Sequence, residues 1–180
     1  TGTGALLDCN AGLVKNATGY DFRHLMVGSE GTLGLMCELD MRLAPKPEPQ
    51  LVMVVGVPKV VDLLNILHTF TDQITLSAFE FFSDLALTKV QAHRDLPAPL
   101  AESVAYYALL EFDQPSLALA EQAFARCMDA GWLVDGVISQ SESQAKSLWQ
   151  LREGISESLA SYTPYKNDLS VRISEVPEFL

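Results

Sequence analysis

The sequence has few basic residues, few cysteines and no long apolar run, and each shortage argues against a class of protein. Lys and Arg total 12 against 23 Asp and Glu, so the formal net charge at pH 7 is −11. Nucleic acids and anionic membrane surfaces are bound by clustered Lys and Arg, so this charge argues against both partners. No apolar run approaches the roughly 20 residues that a membrane-spanning helix requires.

Cysteine and histidine are too scattered to form a recognisable metal or redox motif. The chain has three of each, with no C-x-x-C pair: Cys9, Cys37, Cys127, His24, His68 and His93. This spacing indicates no metal site within the chain. An odd number of separated thiols is typical of a reducing compartment, so we expect a cytoplasmic protein.

Enough apolar residues are present for a sizeable core, because they make up 48% of the 180 residues. The segment APKPEPQ (44–50) has three prolines in seven residues and predicts a boundary between two domains, 1–46 and 47–180.

The first residue is Thr1 rather than Met, and the last segment, VPEFL, has the character of a helix start. We therefore expect both ends to be cut from a longer protein.

Hydrophobic patterns after the proline-rich segment alternate between strand and helix. The predicted strands are 51–57, 76–83, 103–112 and 132–139, and the predicted helices are 58–72, 84–93, 116–131 (ending at Gly131) and 141–160. The order of these elements predicts an α+β, ferredoxin-like split-βαβ sandwich, an antiparallel sheet with helices on one face. Before the boundary, 4–9 and 33–47 have strand patterns and 19–26 has the pattern of a short helical turn.

The segment VGSEGTLG (27–34) has three glycines three residues apart, directly before an apolar run. One interpretation is a tight turn leading into a strand, because glycine reaches positive φ without steric cost. The other is a loop whose bare backbone N–H groups bind a ligand such as a nucleotide. The spacing is neither G-x-G-x-x-G nor a P-loop, so it leaves both interpretations open.

The helix predicted at 141–160 has a charge on its apolar face. Ser141 and Gln144 fit a capping box at its start. At about 100° per residue, Arg152 falls within the arc of the apolar stripe, and Ser156 lies one turn further on at its edge. An unpaired buried charge costs several kcal/mol, so Arg152 should have a partner or reach solvent. The partner is either a carboxylate of this chain or a substrate carboxylate, which a guanidinium binds well.

A second cation follows in YKNDLSVRI (165–173), whose alternation predicts a strand with one polar face. Lys166 lies on that polar face, close enough in sequence to Arg152 for both to reach one pocket. Two cations at one site favour an anionic ligand such as a dicarboxylate.

The segment KNATGYDFRHLMVGSEGTLGLMCELDMRLAPKP (15–47) closely resembles the end of the PCMH-type FAD-binding domain in FAD-linked oxidases of the vanillyl-alcohol-oxidase superfamily. The later segments LWQLREGISESL and YKNDLSVRISEVPEFL resemble the following substrate domain. The branch they resemble contains D-lactate dehydrogenase, the glycolate oxidase FAD subunit and D-2-hydroxyglutarate dehydrogenase. The resemblance covers nearly the whole chain, and it favours the ligand loop over the simple turn.

The resemblance implies roles for particular residues. The FAD would be contacted by Gly19 and by the run Glu30, Gly31, Thr32, Leu33, Gly34, Leu35 and Met36. Substrate carboxylates would be held by Arg152, Ser156 and Lys166, with Ser156 in place of the family's Thr. Asn167 stands where a Tyr is common, which loosens the assignment of the substrate.

The implied activity is FAD-dependent oxidation of a small D-2-hydroxy acid such as lactate, glycolate or 2-hydroxyglutarate. The electron acceptor would be a quinone, a cytochrome or an electron-transfer flavoprotein, and such an acceptor could hold the protein at the inner membrane. The family's pyrophosphate loop would precede Thr1. Its H-G-H-x-G-D-G-N segment, with the base and a divalent metal such as zinc, would follow Leu180.

No catalytic residue is therefore expected within this chain, and we expect it to be inactive on its own. Exposed apolar surface left by a partial FAD domain would favour self-association, including a homo-oligomer. Two alternatives of other classes are a stand-alone ligand-binding module and a non-catalytic subunit of a flavoprotein complex.

Overall fold

The computed structural model describes residues 1–9, 12, 13, 15 and 18–180, and these divide into two units, Thr1–Lys46 and Pro47–Leu180. In the described part of the first unit, the regular structure is one short helix, α1 (Phe22–Met26). It confirms the helical turn predicted at 19–26.

The second unit contains the sheet and the other helices. Its strands are β1 (Gln50–Val57), β2 (Leu76–Ser83), β3 (Tyr106–Asp113) and β4 (Asp135–Ile138). Its helices are α2 (Asp62–Thr71), α3 (Asp84–His93), α4 (Leu117–Asp129), α5 (Glu142–Ser158) and α6 (Val176–Phe179). Short 3-10 turns lie at Gln114–Ser116 and Ile173–Glu175.

The four strands form one sheet in the order β2-β3-β1-β4, and every neighbouring pair is antiparallel. In the middle of the sheet, Val54 of β1 lies opposite Leu109 of β3 on one side and Val137 of β4 on the other. This order is that of a split-βαβ, ferredoxin-like sheet. The predicted α+β class is confirmed.

Helices cover both faces of this sheet. On one face, α2 and α4 pack over Met53, Val55 and Val57 of β1. On the other face, α3 and α5 pack over Val52 and Val54 of the same strand. The prediction that the helices lie on one face is therefore corrected, because α3 and α5 form a second layer on the other face. Because β1 is buried on both faces, its sequence is a continuous apolar run rather than an alternating one.

The end of α4 has the geometry predicted from its glycine. Gly131 has φ +72°, and its N–H donates to the Met128 carbonyl at 2.9 Å. The N–H of Trp132 donates to the Cys127 carbonyl at 3.0 Å. These two bonds make a Schellman motif, which requires the left-handed conformation that glycine adopts without strain.

Three predicted strands are wrong, because segments 4–9, 33–47 and 165–173 have no strand structure. A strand needs a neighbouring strand for its backbone groups and a core for its apolar face. Leu35 and Leu43 are 84% and 88% exposed, so neither is packed in a core. The described residues supply no strand that pairs with these segments, and the apolar alternation therefore stays exposed.

Candidate functional site

Helix α5 is fixed to the sheet by its buried side chains and by its cap. Leu148 and Leu151 belong to the cluster that α3 and α5 form over the sheet. At the start of the helix, Ser141 Oγ accepts the N–H of Gln144 at 3.2 Å. The Gln144 side chain accepts the N–H of Gln140 at 2.7 Å. The predicted cap is confirmed, with Gln144 reaching one residue further back than in the usual capping box.

Arg152, on the same helix, is paired with a carboxylate of this chain. Its Nε donates to Glu80 Oε2 of β2 at 3.0 Å. The two side chains are 39% and 38% exposed, so the pair is half-buried and open to a small molecule. The expected partner of Arg152 is thus an internal carboxylate, while its Nη groups have no partner in the part of the chain that the structure describes.

Ser156 and Lys166 are both exposed. Ser156 lies four residues after Arg152 on α5, and residues four apart in a helix are neighbours on one side. Lys166 lies outside any helix or strand, and the described residues include no partner for its ammonium group. The structure thus places Arg152 and Ser156 one turn apart on α5, and it places Lys166 in a segment without helix or strand.

Sequence reasoning missed the partner of Arg152, which is Glu80, and it also missed a second carboxylate that contacts α5, Glu111 of β3. Glu111 Oε2 accepts from Trp149 Nε1 at 2.7 Å, and its Oε1 accepts from Ser77 Oγ at 2.9 Å. The available signal was a glutamate within an otherwise apolar strand pattern, AFEFF at 78–82 and ALLEF at 108–112. A charged side chain in such a strand needs a partner, but the sequence pattern does not identify which residue that partner is.

Charge near the end of α5 is balanced by α3. Glu157 pairs with Arg94, and its other oxygen lies 3.6 Å from His93 Nε2. The Arg94 guanidinium lowers the pKa of the Glu157 carboxyl. These contacts fix the last turn of α5 next to Ser156.

The glycine loop of the first unit follows a capped turn of helix. Asp21 caps α1 by accepting the N–H of Arg23 at 3.0 Å. Its two oxygens also accept from the Arg23 side chain, at 2.9 Å to Nε and 2.6 Å to Nη2. This pairing lowers the pKa of Asp21 to about 2.

After α1 the backbone turns through left-handed conformations. Gly28, Glu30 and Gly31 have φ of +82°, +50° and +79°. Inside the turn, the Ser29 carbonyl accepts the N–H of Thr32 at 2.9 Å and its hydroxyl at 2.7 Å. The loop is therefore a tight turn in geometry, and the turn itself does not exclude a ligand.

The outer side of the loop is open. A Cβ added at Gly19, Gly28 or Gly31 would meet no atom within 4 Å. Leu33, Leu35 and Met36 are exposed large apolar side chains. An open backbone beside exposed apolar side chains is a setting in which a loop can contact a cofactor that has both a pyrophosphate and a flat ring, as FAD does.

Two other kinds of feature, a metal-binding cluster and a membrane-spanning helix, are absent from the described residues. None of their His, Cys, Asp and Glu side chains come together in a group of three or more that could hold a metal ion. Among the same residues, no helix combines the length and the apolar character needed to cross a membrane.

Comparison with known proteins places these observations in a family. Residues 46–180 match the family model described as FAD linked oxidases, C-terminal domain. The whole chain is 54% identical to a D-2-hydroxyglutarate dehydrogenase of Xanthomonas citri pv. viticola and 50% identical to one of Stutzerimonas stutzeri, spanning 39% of each. It is 35% identical to the mitochondrial D-2-hydroxyglutarate dehydrogenase of Bos taurus, over 96% of the chain and 33% of that relative. The chain therefore spans about two fifths of its bacterial relatives, and it belongs to the family of FAD linked oxidases.

Proposed function

We propose that this chain is part of an FAD-dependent dehydrogenase that oxidises D-2-hydroxyglutarate. The observation that carries the proposal is the state of Arg152, which is half-exposed and bonded to Glu80 through Nε, so that its Nη groups can donate to a ligand. The chain is also 54% identical to a protein named D-2-hydroxyglutarate dehydrogenase. Of the hydroxy acids considered, 2-hydroxyglutarate has two carboxylates, which suits a site with more than one cation.

Each unit has a proposed role. We infer that residues 1–46 are the C-terminal part of the FAD-binding domain and that residues 47–180 belong to the substrate domain. This assignment is supported by the match of the family's C-terminal domain to residues 46–180 and by the boundary between the two units after Lys46.

In the first unit, the proposed FAD contacts are made by the backbone. They are Gly19, Glu30, Gly31, Thr32, Leu33, Gly34, Leu35 and Met36. Support comes from the open surface over Gly19 and Gly31, which lets a ligand approach the main chain without meeting a Cβ.

In the second unit, this chain's residues bind and orient the substrate. The Arg152 guanidinium donates from Nη to one substrate carboxylate in the forked geometry that such pairs favour. The Ser156 hydroxyl, one turn away, donates a further hydrogen bond, and the Lys166 ammonium adds positive charge. Local cations are needed because the net charge of −11 otherwise repels a dianion.

Bound FAD supplies the acceptor for the hydride that leaves C2 of the hydroxy acid. Holding the substrate in one orientation lowers the barrier to that transfer by several kcal/mol. The base that removes the hydroxyl proton is not assigned to any residue of this chain. A quinone, a cytochrome or an electron-transfer flavoprotein as the final acceptor, a cytoplasmic location at the inner membrane, and a homo-oligomer stay predictions from the resemblance.

The test uses the full-length protein that carries this chain. Purified protein is mixed anaerobically with D-2-hydroxyglutarate, D-lactate or glycolate, and loss of the oxidised flavin absorption is followed. We expect D-2-hydroxyglutarate to reduce the flavin fastest. Arg152→Ala should slow that reduction at low substrate by between about 10- and 100-fold, because a charged hydrogen bond to the substrate is lost.

The matched control is Arg126→Ala. Arg126 lies on α4, on the other face of the sheet, and donates to the Thr69 carbonyl at 3.2 Å. The Arg126→Ala variant should therefore reduce its flavin at the same rate as the parent protein. A preparation without flavin would contradict the proposal and favour a ligand-binding module. Equal rates in the parent protein and Arg152→Ala would remove Arg152 from the substrate site.

A further inference from the structure

We propose that Glu80 is a positioning residue for substrate binding: it holds Arg152 by Nε so that both Nη groups stay available to a substrate carboxylate. The proposal rests on the proposed function, because it takes Arg152 to be the residue that binds the substrate.

Glu80 lies on the sheet face that α5 covers. In β2 it is opposite Leu109 of β3, and Phe82, two residues on, is opposite Tyr107. Leu109, Tyr107 and Phe82 all belong to the cluster under α3 and α5. Side chains two apart in a strand share a face, so Glu80 points to the same layer as this cluster.

The strand itself is at the edge of the sheet, since β2 pairs with β3 alone among the described strands. An edge position explains how a carboxylate on the apolar face stays 38% exposed. It also gives a small anion a route to the pair from solvent.

The bond between Glu80 and Arg152 uses one guanidinium N–H. Arginine–carboxylate pairs are frequently bidentate, with two parallel bonds. Here Oε2 accepts from Nε at 3.0 Å, and no second bond joins the two side chains. Four of the five guanidinium N–H donors thus stay available for a second carboxylate.

A flexible arginine on a helix surface has many rotamers, and ordering them at binding reduces affinity. A side chain that is already fixed avoids this cost, which is about a 3- to 10-fold effect on binding for one long side chain. Glu80 also brings a negative charge near an anionic substrate, which opposes binding. We expect the effect of orientation to exceed that of repulsion, so that removal of Glu80 weakens substrate binding.

Glu111 supplies the matched control. It lies on the neighbouring strand β3, opposite Ala78 of β2, and it too holds a side chain of α5, the indole of Trp149. Neither Glu111 nor Trp149 has a role in the proposed substrate site. The Glu111→Ala variant therefore lacks a carboxylate and a contact to α5, while the bond between Arg152 and Glu80 is kept.

The experiment measures KM and kcat for D-2-hydroxyglutarate, and Tm, in the full-length flavoprotein. The variants are Glu80→Ala, Glu80→Gln, Glu111→Ala, Arg152→Ala and the double variant Glu80→Ala/Arg152→Ala. We expect Glu80→Ala to raise KM by about 3- to 10-fold. Glu80→Gln should restore part of the loss, because its amide oxygen still accepts from Nε, while Glu111→Ala should leave KM unchanged.

The double variant should be no worse than Arg152→Ala, since Glu80 acts through Arg152 alone. A KM that is unchanged or lower in Glu80→Ala, with Arg152→Ala impaired, overturns the role of Glu80 and leaves the proposed function standing. An unchanged KM in Arg152→Ala overturns the role of Glu80 and removes Arg152 from the substrate site, whereas a flavin that D-2-hydroxyglutarate does not reduce overturns the proposed function itself. A fall in Tm in both glutamate variants with no change in KM would mean that Glu80 is structural.

Discussion

At the residue scale, Gly136 of β4 packs against the ring of Phe124 of α4. A Cβ at this position would lie 2.6 Å from the ring of Phe124 and 3.1 Å from Val55. Phe124 and Val55 are part of the cluster on the α2 and α4 face. The glycine is therefore required by packing rather than by backbone conformation.

Gly136→Ala should destabilise the second unit. The added methyl group must displace a packed ring, and such overpacking costs about 1–3 kcal/mol of unfolding free energy. Urea denaturation of the chain measures the change. Gly2→Ala is the control, because a Cβ there meets no atom within 4 Å. Equal stability of Gly136→Ala and the parent chain would mean that Phe124 moves away without cost.

At the element scale, α5 connects the core to the proposed substrate site. Its buried face holds it on the sheet, and Gly154 lets it approach α3, where a Cβ would lie 3.1 Å from Val90. Arg152 and Ser156 are thereby fixed relative to β2 on a packed helix. A site built on a packed helix is held more precisely than one on a loop.

The cap of α5 can be tested separately from its packing. Ser141→Ala removes the acceptor for the Gln144 N–H and should lower the unfolding free energy by about 1 kcal/mol. Ser141→Asp keeps an acceptor and should retain most of the stability. Thermal or urea unfolding of both variants gives the comparison. If both lose stability equally, the cap does not stabilise α5.

At the scale of the whole molecule, the two units differ in how well they bury apolar residues. The second has two clusters, one on each face of its sheet. In the first, the apolar residues of 33–43 are exposed. A contiguous exposed apolar surface indicates a surface that another part of a protein covers. Relatives about two and a half times as long as this chain are consistent with such a cover.

Limited proteolysis of the chain should reflect this difference. We expect a protease of broad specificity to cut first within 18–49 and after 159, because the residues described there belong to no packed core, and to leave 50–158 intact. Mass spectrometry of the products identifies the cuts. The same digestion in denaturant should cut throughout. Early cuts within β1 or β3 would contradict a stable second unit.

Much of the second unit could be predicted from its sequence, because helix and strand periods are local. The strand at 76–83 and the helix at 84–93 have the predicted bounds, and the Schellman end at Gly131 and the cap at Ser141 follow from single residues. The helical period also placed Arg152 on the apolar face of its helix, where a charge needs a partner. For the helices and their ends, the deciding interactions lie within a few residues of one another.

The tertiary structure alone decided which distant residues meet. Glu80 is 72 positions from Arg152, and only the placement of α5 over β2 pairs them. The second helix layer likewise depends on β1 being central in the sheet, so that both of its faces need cover. The alternating segments 33–47 and 165–173 form no strands, because alternation describes a side-chain pattern, whereas a strand exists only when another strand bonds to it. Local periodicity is thus set by the sequence, and pairing between distant segments is set by the packed fold.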